Sequence, residues 1–137
     1  MWLVYALEAA FFAALTAILA KVGIEGVNSH LATAIRTAVV LCLAWAMVFA
    51  VGAGGTISEI SRKSWLFLVL SGLATGASWL CYYKALQMGE VAKVAAIDKL
   101  SVVITIIFAV IFLGESLSLK TAIATLLIAT GALLMVL

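Results

Sequence analysis

Five charged residues stand inside long apolar stretches of this chain: Glu8, Arg36, Lys84, Asp98 and Lys99. Holding such a side chain at the centre of a bilayer costs at least ~2.5–3.5 kcal/mol on insertion scales, so each needs a partner, water or a task. The chemistry open to them is ion pairing, capture of an anionic group by Arg36, and proton or ion carriage by Asp98 or Glu8. Other chemistries lack their residues. His30 is the only histidine and sits in a connector, while Cys42 and Cys81 lie inside apolar stretches, where small buried hydrophobes are expected. No Ser/His/Asp set, phosphate-binding glycine loop or metal-ligand cluster can be assembled, so neither an enzyme nor a metal or cofactor is expected.

The elements that position these charges are five apolar stretches, at 2–20, 31–51, 65–86, 94–113 and 119–137. Each is long enough to cross a hydrocarbon core ~30 Å thick at ~1.5 Å per residue. A bilayer offers no water to backbone groups, so these segments must be helices. The chain is therefore read as all-α, a polytopic membrane bundle of five transmembrane helices forming one domain over 1–137. With 137 residues, 67% hydrophobic and 10% charged, it has no room for a soluble domain. The first stretch lacks a basic leader and is read as retained. The net charge of +2 is too small to suggest nucleic acid. There is no proline, so the helices are expected to run unbroken, and cavity closure to come from rocking helices or exchanging subunits.

Arginine and lysine bias toward the cytoplasm sets orientation. One face carries Arg62, Lys63 and Lys120; the other carries Lys21 and Lys93, with Lys84 if it snorkels. That near balance mildly favours a cytoplasmic N-terminus and also permits insertion both ways, hence antiparallel homodimers. Following the chain through the membrane places Arg36, Lys84, Asp98 and Lys99 in one leaflet and Glu8 in the other. Glu8 either reaches its own interface or, in an antiparallel dimer, supplies counter-charge to the partner's basic leaflet. Lys84 and Lys99 can snorkel.

Asp98, Ser101 and Thr105 form a polar stripe on the fourth span, and Thr33, Arg36 and Thr37 another on the second. Placed together, Arg36 and Asp98 either fix helix register or form a charged centre for an anionic group. Gly72 and Gly76 make a small-residue packing face on the third span. Trp79, Tyr82 and Tyr83 follow at i, i+3 and i+4, as an interfacial belt or as the wall of a substrate cavity. Between the last two spans, Gly114 is suited to end a helix and Ser116 or Ser118 to begin one, with Glu115 complementing that helix start.

The run LSGLATGASWLCYYKALQMGEVAKVAAIDKLSVVITIIFAVIFLGESLSL, residues 70–119, resembles the drug/metabolite transporter superfamily, in particular its EamA-type repeat. The closing FLGESLSLKTAIATLLIATGALLMVL is also similar to the end of small multidrug resistance proteins. The resemblance implies a single five-span repeat of the bacterial and archaeal branch, one half of an inverted-repeat transporter that pairs with a second, antiparallel copy around a substrate path. Two positions depart from the pattern. The acid that small multidrug resistance proteins carry in span one falls at Ala13, and the proline that five-span relatives often place before IDKLS is Ala96, implying a straighter fourth span.

The leading reading is a secondary transporter, an exporter or exchanger of a small polar metabolite or drug-like compound across the cytoplasmic membrane. Arg36 and Asp98 would form its centre, Trp79 and Tyr82 its walls, Ser101 and Thr105 its polar stripe, and Asp98 or Glu8 its coupling group. Its partners would be lipid, substrate and a second copy. The competing readings are a lipid-linked sugar flippase and a non-transporting membrane assembly subunit.

Overall fold

In hydrocarbon every backbone N–H and C=O must find its partner inside the chain, and this sequence answers with helices alone. The computed structural model describes residues 1–137. Its elements are α1 (Trp2–Gly23), α2 (Ser29–Ala50), a short 3-10 helix (Ala53–Glu59), α3 (Arg62–Met88), α4 (Val91–Asp98), α5 (Leu100–Leu113) and α6 (Leu119–Leu134). Helices α1 and α2, at 22 residues each, reach about 33 Å, and α3, at 27 residues, about 40 Å. Together α4 and α5 form a fourth apolar span, Val91–Leu113. The result is an all-α polytopic membrane bundle of four membrane-length helical spans and a shorter fifth.

Three expectations need correction. The fourth span is not one unbroken helix. At Lys99 the backbone tightens, with the Lys99 N–H donating to the Ala96 carbonyl and the Val102 N–H to the Lys99 carbonyl, each three residues back instead of four. This 3-10 step separates α4 from α5 without a proline or glycine, as such turns do at strained or hinge positions. The fifth helix ends at Leu134, so its 16 residues cover about 24 Å. The cysteines also differ from expectation: Cys42 and Cys81 both sit on exposed helix faces.

Connector chemistry is where local sequence dictates structure most directly. The Asn28 side chain accepts from the His30 and Leu31 N–H groups and starts α2. Ser61 Oγ accepts the Ser64 N–H at 3.1 Å where α3 begins. Gly114 ends α5 at φ +65°, a left-handed conformation natural to glycine. Ser118 then starts α6 by accepting the Thr121 N–H at 3.1 Å.

The chain divides into two compact units. One comprises Met1–Lys21 and Met88–Leu137; there α6 packs on α4 and α5, with Ala17, Ala96 and Ala132 buried. Small residues at such contacts let helix backbones approach. In the same unit the Lys21 ammonium donates to the Gly89 carbonyl at 2.9 Å, tying the end of α1 to the connector before α4. The second unit, Val22–Gln87, buries Ile24, Ser29, Thr33, Tyr83 and Leu86. Gln87 Nε2 donates to the Val27 carbonyl at 2.9 Å, fastening the end of α3 to the loop before α2.

Candidate functional site

The second unit contains the one arrangement in which a charged side chain, aromatic rings and burial converge. On α2, Ser29, Thr33 and Arg36 share a face at i, i+4 and i+7. Thr33 is buried, and its hydroxyl donates to the Ser29 carbonyl at 2.8 Å; the Thr37 hydroxyl donates to the Thr33 carbonyl at 2.7 Å. These hydroxyls are thus satisfied by their own helix, a frequent solution for Ser and Thr in apolar surroundings.

On α3, Trp79, Tyr83 and Leu86 share a face at i, i+4 and i+7. Leu86 is fully buried and Tyr83 is 4% exposed. Arg36 is half-buried and lays its guanidinium over this face. Its Cζ sits 4.1 Å from the Trp79 ring centroid and 5.5 Å from that of Tyr83. Both distances fall within the ~6 Å reach of cation–π attraction, which strengthens to ~2 kcal/mol or more when water is excluded. Yet Arg36 Nη1 is shut off from solvent without a hydrogen-bond partner. Neither carboxylate of its unit, Glu25 or Glu59, pairs with it. A donor left in that state is costly unless another molecule completes it.

Packing sets the two tyrosines apart. Tyr83 faces Arg36, while Tyr82 is half-buried beside it, with ring centroids 6.4 Å apart at 67°. The signal was present in the i, i+4 step from Trp79, which keeps a helix face better than the i, i+3 step. Lys84 turns toward Gln87, its ammonium 3.4 Å from Oε1.

The remaining residues of interest lie elsewhere. In the first unit, Asp98 ends α4, its carboxylate 3.5 Å from the ammonium of adjacent Lys99. Both side chains are well exposed, at 41% and 57%, so the pair itself contributes little stability. Ser101 and Thr105 are exposed on α5. The 3-10 step lies between them and Asp98, so the polar stripe is not one continuous helix face. Glu8 is exposed on α1. A Cβ added at Gly72 or Gly76 would meet nothing within 4 Å, so the chain itself leaves that small-residue face open.

Several apolar helices of membrane length in one chain define a multi-pass membrane protein. The chain matches the EamA-like transporter family over residues 1–137 and belongs to that family, within the drug/metabolite transporter superfamily. It is a membrane transporter. It is 54% identical over 134 residues to the "Uncharacterized transporter in cobO 3'region" of Sinorhizobium sp, a match spanning 98% of this chain and 95% of that protein. No solved structure matches it.

If the rings hold Arg36 as described, a double-mutant cycle of Arg36→Ala and Trp79→Ala, read by reversible unfolding in detergent, should return a coupling of about 1–2 kcal/mol. The same cycle with Tyr82 in place of Trp79 should return close to zero.

Proposed function

We propose that this chain is one half of a secondary transporter, in which two antiparallel copies enclose a path that exports or exchanges a small polar metabolite or drug-like compound across the cytoplasmic membrane. The observation that carries the reading is the Arg36 guanidinium, set within a span, stacked on Trp79 and lacking an acceptor for Nη1. A merely structural arginine would be expected to end in a carboxylate or carbonyl of its own chain. A binding arginine keeps donors in reserve for what it binds.

The pairing of two copies is supported by open surface and by charge balance. The open Gly72–Gly76 face of α3 offers close backbone approach to another helix. The near balance of lysine and arginine between the two membrane faces suits insertion in both directions. In such a dimer the partner's Glu8 enters the leaflet that holds Arg36, Lys84 and Lys99. Asp98 is the proposed coupling group, with Glu8 second; Asp98 stands at the 3-10 step, where the fourth span has a natural point of bending. Ser101 and Thr105 would extend its polar surface, and Tyr82 would flank the wall formed by Trp79 and Tyr83.

Transport is tested by comparing compounds released by cells that express the wild-type chain or Arg36→Ala, using mass spectrometry of the medium. The reading expects release to fall at least ~10-fold while crosslinked dimers persist, consistent with loss of a charged hydrogen-bonding group. Unchanged release would refute it, and loss of dimers would reassign Arg36 to assembly.

Orientation has its own test. Single cysteines replacing exposed His30 and Gly55, in a background lacking Cys42 and Cys81, should each label partially from outside intact cells. Labelling of only one of the two would rule out dual insertion.

A further inference from the structure

Stacking occupies the face of a guanidinium and leaves its N–H donors, all of which lie in its plane, still seeking acceptors. Arg36 is in that condition, with its face over Trp79 and Tyr83 and Nη1 unpartnered. The side chains of Thr33, Thr37 and Gln87 are already engaged. The hydroxyls of Thr33 and Thr37 donate to carbonyls of α2. Gln87 gives its amide N–H to Val27 and its oxygen to Lys84. What is missing at Arg36 is an acceptor with negative charge, and the second unit holds none paired there.

The geometry and the charge count narrow that acceptor. A carboxylate is planar and offers two oxygens along one edge, matching the in-plane fork of a guanidinium while leaving the stacked face undisturbed. One guanidinium balances one negative charge. Lys84, the base nearest along α3, is directed at Gln87, and Arg62 and Lys63 stand at the opposite end of that helix. A doubly charged phosphate would therefore keep one charge uncompensated in a region of low dielectric. The indole of Trp79, half-exposed, provides apolar surface for the rest of the molecule.

We infer that the Arg36 site binds the carboxylate of a singly charged organic anion, with the apolar part of that anion against the Trp79 ring. This deepens the transport reading and rests on it. The carboxylate supplies the acceptors that Arg36 lacks, and the aromatic rings hold the guanidinium in place when the site is empty. Neutral analogues of the same shape would stay bound weakly, because they offer one acceptor and no charge.

The test uses a chain whose only tryptophan is Trp79, made by replacing Trp2, Trp45 and Trp65 with Phe, in zwitterionic-lipid vesicles at constant ionic strength. Butyrate should change Trp79 emission saturably at a concentration at least ten-fold below that needed for butyramide. Phosphate should bind no more tightly than butyrate. Arg36→Ala should abolish the butyrate response, and Arg36→Lys, which keeps the charge without the fork, should retain a weakened one. An equal response to butyramide, tighter binding of phosphate, or an undiminished response in Arg36→Ala would overturn the inference. So would an Arg36-dependent response to added phosphatidylglycerol with none to butyrate, since the counter-ion would then be a lipid headgroup. Efflux measured on the same Arg36 variants separates the two claims. Arg36-dependent efflux without a butyrate response removes only the carboxylate, whereas efflux indifferent to Arg36 removes the transport reading itself.

Discussion

A guanidinium placed within a hydrocarbon span must be compensated, and around that requirement the second unit is organised. Arg36 cannot shed its proton to escape the cost, as a lysine can. Two aromatic rings one helical turn apart on α3 supply the compensation available inside the unit. Their positions are fixed in turn by the burial of Tyr83 and Leu86, and by the amide of Gln87 that holds the end of α3 to the Val27 carbonyl. On the other side, α2 is fixed by its Asn28 cap and by threonines that spend their hydroxyls on their own helix. The hydroxyls of Thr33 and Thr37 are thereby settled, while Arg36 Nη1 is left without an acceptor.

That asymmetry is what a transporter of the EamA-like family would use. A site that satisfied itself would have no affinity left for cargo, and one that held a bare charge in lipid would not be stable. Aromatic stacking gives an intermediate condition, stable when empty and improved by an acceptor. The first unit shows a different economy of charge. Asp98 and Lys99 neutralise each other at the 3-10 step, and Glu90 and Lys93 do so one helical turn apart.

Much of this was legible before any coordinates. Stretches of apolar residues gave membrane helices because backbone chemistry in lipid allows little else, and Gly114 and Ser118 announced the last connector through their capping chemistry. The expectation that Arg36 and Trp79 carry function was drawn from charge and depth alone. What sequence could not supply was rotation about helix axes. Tyr82 and Tyr83 are adjacent and chemically identical, and only packing reveals which one meets Arg36. The 3-10 step at Lys99 was hidden for a related reason. No proline or glycine marks it, and Ala96 in place of a proline gave no sign of the 3-10 turn that forms there.

The most direct test of the central claim asks whether position 36 faces water. In a chain lacking Cys42 and Cys81, Arg36→Cys would be exposed to a membrane-impermeant, positively charged thiol reagent and separately to a lipid-soluble maleimide. A residue lining a substrate path should react with the charged reagent at a rate within about ten-fold of a cysteine in an aqueous connector, such as one at Gly55. Reaction with the lipid-soluble maleimide alone would place the side chain against the bilayer, and the account of Arg36 as a binding group would be wrong.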